Sequence, residues 1–252
     1  MSKVYFIGAG PGDPDLITVK GRKILEKADV IIYAGSLVNK EIINCRKKES
    51  EIYNSASMDL EEILSLIFHR VKAEKLVARV HTGDPSLYGA IREQIDPLEK
   101  MGIDCEVIPG VSSFVASAAV MNKEFTIPNS AQTVICTRLE GRTPVPSTES
   151  LELLASHRTS MAIFLSVHKI EEVVNKLLIH YEEQTPVAVI QKVTWEDQKI
   201  VTGTLKNISE KVKKAEIHKT AQILVGDFLG EIYETSKLYD KNFSHGYRSI
   251  KK

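Results

Sequence analysis

Short apolar runs and amphipathic stretches alternate through the first half of the chain. KVYFIG (3–8) opens it, followed by a helical pattern from about residue 16 to 27. DVIIYAG (29–35) leads to a helical stretch around Lys40, and a short strand near Ile52 precedes DLEEILSLIFHRVKAE (59–74). In that stretch Leu60, Ile63, Leu64, Ile67 and Val71 recur at helical spacing, which predicts a stripe facing a core. KLVARVHTG (75–83), a helix over about 90–101, DCEVIPG (104–110) and a small-residue helix over 112–121 complete the series. Strand and helix in alternation predict a parallel sheet covered on both faces. In such a sheet, ligands bind at the loops leaving the strand C-termini.

The pattern changes after Asn122. KEFTIPNSAQ reads as loop, and a second series begins at TVICTRL (133–139). A helix at about 147–157, a strand at SMAIFLSV (160–167) and a helix at 168–180 follow. PVAVIQKVT (186–194) and KIVTGTL (199–205) stand too close for a helical crossover, so an antiparallel pair is expected. A helix at about 207–215 and a strand at AQILVGDFLG (221–230) end the series. The expected architecture is α/β with two domains. Residues 1–122 form a mostly parallel N-terminal domain, 123–233 a mixed-sheet C-terminal domain, and 234–252 a polar tail rich in aromatics, either disordered or an arm for a partner.

Composition narrows the classes. The 252 residues are 43% apolar and 26% charged, as in ordinary globular proteins, with Lys+Arg and Asp+Glu balanced at 33 each. No overall field would draw in nucleic acid or an anionic membrane. No apolar run reaches the roughly 18–20 residues that span a bilayer. The N-terminus lacks a basic segment followed by an apolar one, so no secretory signal is expected. Cys45, Cys105 and Cys136 are scattered, with no C-x-x-C spacing. Buried free thiols in a reducing cytoplasm are expected.

Candidate chemistry lies in three loops. VYFIGAGPGDPD (4–15) begins like a dinucleotide-binding turn, but Asp13 stands where the third glycine of G-x-G-x-x-G belongs. Pro11 and Pro14 have no N–H to offer an anion. These departures disfavour an NAD-dependent dehydrogenase. In RVHTGDPSLYG (79–89), Gly83 permits close backbone approach, Asp84 can cap the following helix, and Pro85 suits a first turn. IPGVSS (108–113) places Ser112 and Ser113 at a helix N-terminus. His81 is a candidate base beside the second loop, with hydrogen-bonded burial as the plainer alternative. Tyr88 and Asp13 stand nearby. Trp195 reads as packing, and His69, His157, His168, His180, His218 and His245 show no zinc spacing. No metal site is expected.

Taken together, GAGPGDPDLIT (8–18), TGDPSLYG (82–89) and VIPGVSS (107–113) resemble the three N-domain motifs of the tetrapyrrole methylase family. The resemblance runs in order over roughly residues 3 to 230 and includes PVAVIQKVT and HKTAQILVGDFL (218–229). It implies a two-domain enzyme that uses S-adenosylmethionine and releases S-adenosylhomocysteine. TRLEGRTPVP (137–146) and LYDKNFSHGYR (238–248) are similar to the members that methylate C11 of precorrin-4, or its cobalt form, in cobalamin biosynthesis. Uroporphyrinogen-III methylases usually read KGGDPFIFGR where this chain reads HTGDPSLYGA. Methylation of another tetrapyrrole carbon remains the alternative within the fold, and an RNA methylase a more distant one. By the same resemblance, Pro11, Thr82, Gly83, Asp84, Leu87, Ser112 and Ser113 match cofactor contacts in the first domain. Leu165, Val193, Thr220 and Ala221 match those in the second. The cofactor would lie between the domains, with the macrocycle in the cleft above it. The ring's acetate and propionate groups call for cations, and Arg138 and Arg142 stand in the distinguishing stretch. The family implies a homodimer and a small-molecule tetrapyrrole substrate, with no nucleic acid and no membrane.

Overall fold

The computed structural model describes residues 3–231, 234–236, 240, 243, 244, 246 and 247, apart from the side chain of Ser36. Most of the 234–252 tail, including six of the eleven residues of the motif at 238–248, lies outside the described residues. The chain forms two compact units: Met1–Ala116 with Lys192–Gln198, and Ser117–Gln191 with Lys199–Lys252. The division falls at Ala116, ahead of the change of pattern at Asn122. A single helix, Ser113–Val120, runs through it, so the change in composition is not the change in packing.

The first unit contains β1 (Lys3–Gly8), α1 (Val19–Leu25), β2 (Val30–Tyr33), β3 (Glu51–Asn54), α2 (Leu60–Lys72), β4 (Val77–His81), α3 (Arg92–Lys100), β5 (Asp104–Ile108) and the start of α4 (Ser113–Val120). Its strands pair in parallel in the order β3-β2-β4-β1-β5. Alternate residues feed separate cores, as the two-residue period of a strand requires. Val4, Phe6, Val30, Ile32 and Val77 pack with Ile63, Ile67 and Val71 of α2 and Leu98 of α3. Ile7, Ile31, Tyr33, Ala78, Val80 and Ile108 pack with Leu25 of α1. The sheet is thus covered on both faces. The α2 stripe holds except at Leu60, which is 37% exposed in the first turn. Asp59 and Glu62 close a capping box there, fixing the helix start beyond reach of the core.

Local chemistry shifts several element boundaries. Asp13 caps a separate 3-10 turn, Pro14–Leu16, and Thr18 caps α1, so the pattern from residue 16 is two elements. The stretch around Lys40 is a 3-10 helix, Lys40–Cys45, capped by Asn39.

The second unit holds β6 (Val134–Arg138), α5 (Leu151–Ala155), β7 (Ser160–Phe164), α6 (Ile170–Leu177), β8 (Pro186–Gln191), β9 (Lys199–Thr204), α7 (Ile208–Lys214) and β10 (Ala221–Val225). The helix expected at 147–157 is split by Ser150, which caps α5 after a 3-10 turn, Ser147–Glu149. The strand order is β6-β7-β10-β8-β9. Only β6 and β7 are parallel, and β8 pairs with β9 antiparallel as their short connection demands. Leu151, Val173, Leu177, Ile208 and Val212 of the helices meet Met161, Ile163, Val187, Val189 and Ile223 of the sheet in one core.

Candidate functional site

In the first unit the connection leaving β1 runs toward β2, while the one leaving β4 runs past β1 to β5. Strands β1 and β4 are neighbours whose connections leave in opposite directions, each passing the other strand, and their C-terminal ends form the edge where parallel sheets usually bind ligands. The loop after β5 joins them on the other side of β1.

Here the three loops meet backbone to backbone. Ala9 N donates to His81 O at 2.8 Å, Gly83 N to Gly10 O at 2.8 Å, and Gly10 N to Gly83 O at 3.2 Å. A Cβ on Gly110 would lie 2.1 Å from Gly83 O, and one on Gly8 would lie 2.6 Å from Gly110 Cα. Gly10 and Gly83 adopt φ of 80° and 59°, the left-handed region that favours glycine.

Asp84 ties the second loop to the third. Its carboxylate accepts from Gly110 N at 2.8 Å, from Ser86 N at 2.8 Å and from the Ser86 hydroxyl. Burial pushes its pKa up, and these three bonds more than offset it, leaving the carboxyl below its ordinary value. Asp84 therefore caps a turn over residues 85–88 rather than a helix, since α3 starts only at Arg92. Thr82 is exposed beside it and Leu87 is half-buried. Ser112 is buried, with its carbonyl accepting from Ala116 N, and Ser113 begins α4.

The first loop is not an anion cradle. Gly10 N is spent on Gly83 and Asp13 N on Thr194 Oγ1 at 2.9 Å, while Pro11 and Pro14 have no N–H. Pro11 is buried, and its carbonyl accepts from Trp195 Nε1 at 2.9 Å. Trp195 packs as expected, its indole lying against Gly12. Tyr88 is half exposed at φ 57°.

His81 is 5% exposed and stacks on Phe6 with centroids 5.9 Å apart. Burial first, and the nearby Arg79 second, hold its pKa down at about 3. A ring that gives up its proton so readily is a poor general base at neutral pH. Its Nε2 is buried without a hydrogen-bond partner. These features weigh against the expected base: His81 packs into its strand, and burial favours its neutral form. Its neighbour Arg79 escaped notice in the sequence, where it is one polar letter in an apolar run. It is 5% exposed, donates to Gln94 Oε1 at 3.1 Å and Ile32 O at 3.4 Å, and burial lowers its pKa to about 10.

In the second unit β7 and β8 end, and the antiparallel β10 begins, at one sheet edge. Leu165 follows β7, 64% exposed at φ 55°, and Thr220 precedes β10 at φ 53°. Non-glycine residues in this region are uncommon and cluster at functional sites. Ala221 is half-buried at the first position of β10. Val193 is buried but lies in the segment that packs with the first unit, not the second. Arg138, expected to face a ligand, donates instead to the carbonyls of Leu139, Thr143 and Pro144, at 3.4, 3.2 and 2.8 Å. It braces the loop on which Arg142 stands exposed.

Cys45, Cys105 and Cys136 are free and half-buried rather than fully buried, and burial raises each thiol's pKa. Among the described residues no group of three or more His, Cys, Asp or Glu side chains could hold a metal ion. Nor is any described helix long and apolar enough to cross a membrane.

Known proteins match this arrangement over nearly its full length. A cobalt-precorrin-4 C(11)-methyltransferase of Methanocaldococcus jannaschii is 58% identical over 99% of this chain and 97% of its own. A precorrin-4 C(11)-methyltransferase of Pseudomonas aeruginosa is 47% identical over 97% and 98%. The X-ray structure of a cobalt precorrin-4 methyltransferase, 48% identical, superposes with a TM-score of 0.88 over 90% of this chain and 95% of that one. A uroporphyrin-III C-methyltransferase from Thermus thermophilus, complexed with S-adenyl homocysteine, shares the fold at 24% identity, with a TM-score of 0.76 over 93% and 96%. Residues 3–209 match the family described as Tetrapyrrole (Corrin/Porphyrin) Methylases, and with the relatives above this places the chain in that family.

Proposed function

We propose that the protein transfers a methyl group from S-adenosylmethionine to C11 of precorrin-4 or cobalt-precorrin-4. For the ring position, the supporting observation is identity of 47–58% over nearly the whole chain with relatives named for that reaction. For the donor, the support is the character of the β1, β4 and β5 loops. Residues 8–15, 82–90 and 109–113 contain no Lys or Arg, and their only charges are Asp13, Asp15 and Asp84. A pyrophosphate would meet spent N–H groups and carboxylates there. A cationic nucleoside with no phosphate fits the same edge.

A bound donor's sulfonium would supply an already activated methyl carbon, the ring carbon giving the electron pair of the new C–C bond as the C–S pair goes to sulfur. The chain has only to hold the two reactants in line, and orientation of this kind is worth several kcal/mol, up to roughly 10. Thr82 and the backbone of Gly83 are assigned to the donor, with Pro11, Asp84, Leu87, Ser112 and Ser113 around them. Leu165, Val193, Thr220 and Ala221 are assigned to it from the family resemblance. Arg142 is assigned to a substrate carboxylate, with Arg138 holding its loop.

The test is incubation with precorrin-4 and cobalt-precorrin-4 in separate reactions, with a ¹³C-labelled methyl donor and NMR of the product. Label at C11 is expected. Label at another carbon overturns the ring position, and no transfer with either ring overturns the activity. Arg142→Ala is expected to weaken ring binding about tenfold, with S-adenosylhomocysteine affinity unchanged by calorimetry.

A further inference from the structure

The connection between β8 and β9, residues 192–198, has a frame of its own. Lys192 and Thr194 adopt φ of 48° and 67°, and for a β-branched residue such as Thr194 that is an outlier. Thr194 N donates to Gln198 Oε1 at 2.7 Å, Trp195 N to Lys192 O at 3.0 Å, and Gln198 N to Trp195 O at 3.1 Å. Lys192 pairs with Asp197 and lies 5.7 Å from the centre of the indole.

From this frame two side chains reach the loop after β1. Thr194 Oγ1 accepts from Asp13 N, and Trp195 Nε1 donates to Pro11 O, each at 2.9 Å. The indole covers Gly12 so closely that a Cβ there would lie 2.1 Å from Cδ1. On its remaining sides the loop is held by Asn39 Nδ2, donating to Gly12 O at 3.0 Å, and by the Gly10–Gly83 pair. Pro11 and Gly12 offer no side chain that can anchor the loop by hydrogen bonding, so its placement depends on donors and acceptors brought from elsewhere.

We propose that Trp195 and Thr194 are positioning residues for the tetrapyrrole. They fix Pro11 and Gly12 as a rigid border shared by the donor and the ring, and act through that loop without touching either. This rests on the methyl-transfer reading above. Misplacement of a reacting carbon by about an ångström is costly in rate, far beyond what the loss of one hydrogen bond costs in stability.

The test uses the full chain. Trp195→Phe keeps a ring over Gly12 and deletes only the N–H. Thr194→Val keeps the shape and deletes the acceptor. Each is expected to lower kcat/KM for the tetrapyrrole about tenfold, well beyond any loss of S-adenosylhomocysteine affinity, with Tm falling by no more than the few degrees that one lost hydrogen bond costs. Gly12→Ala should be strongly impaired alone yet add little in a Trp195→Ala background, where its methyl group has room. Tetrapyrrole kinetics unchanged in Trp195→Phe, beside an active wild type, would overturn the proposal. So would a loss that tracks Tm and donor affinity together. A wild type that methylates no tetrapyrrole removes the functional reading, and this inference with it.

Discussion

Asp84 shows how one side chain can organise a site it need not contact. Its carboxylate gathers Ser86 and the Gly110 N–H, so it fixes the turn after β4 and joins that turn to the loop after β5. Asp84→Ala leaves these donors unsatisfied and is expected to cost about 2 kcal/mol, lowering Tm by roughly 4–8 °C in a protein of this size. Asp84→Asn should recover part of the loss. Calorimetry of the two variants checks this, and an unchanged Tm in both would remove the staple assignment. His81 illustrates the opposite case. Its position beside a cofactor-type loop invites a catalytic role, but burial against Phe6 and the Arg79 charge keep it neutral.

The elements meet at their ends, and there backbone packs on backbone. Gly8 and Gly110 let the tips of β1 and β5 approach each other, and the Gly83 carbonyl after β4, to distances that side chains forbid. Gly110→Ala would force a carbon to within 2.1 Å of Gly83 O. It is expected to cost about 3 kcal/mol or more and to abolish donor binding as the loops part. Gly141 gives the contrast, since a methyl group added there would meet nothing within 4 Å. Gly141→Ala should stay within about 0.5 kcal/mol of wild type. Urea midpoints for the pair decide the matter, and equal effects would contradict the packing described.

For the whole molecule, pH is the variable that adds these local effects together. The folded state holds the His81 pKa near 3, below its ordinary 6.5, so the unfolded chain takes up a proton that the folded one refuses. That contribution is complete above pH 6.5 and is lost as pH falls from there toward 3. Asp84 is held low by its hydrogen bonds, outweighing its burial, and Asp29 chiefly by Lys47 and Glu152 chiefly by Lys176. Their contributions are present above about pH 4 and disappear as pH falls through the folded values. Stability should therefore begin to fall below about pH 6.5 and fall faster below about 4. His81→Phe should flatten the first part of that decline and leave the second. Urea midpoints across the range provide the check, and a decline of wild-type shape in the variant would mean that His81 is not its source.

By itself the sequence determined the period of most elements, and hence the strands of both sheets, most of their helices and the antiparallel β8–β9 pair. It also placed the three glycine-rich loops at strand ends, and Asp13 and the two prolines already argued against a phosphate site. Such features depend on neighbours within a few residues, where spacing and capping act. Only the tertiary structure decided how distant groups would use one another's atoms. Arg138 turned to its own loop's carbonyls, Arg79 and His81 became dry neighbours, and Val193 joined a segment that packs with the first unit. The Pro11 carbonyl and Asp13 N–H found partners 184 and 181 residues away. No local pattern encodes such pairings, because they are fixed by which backbone groups remain unsatisfied once the sheets have formed.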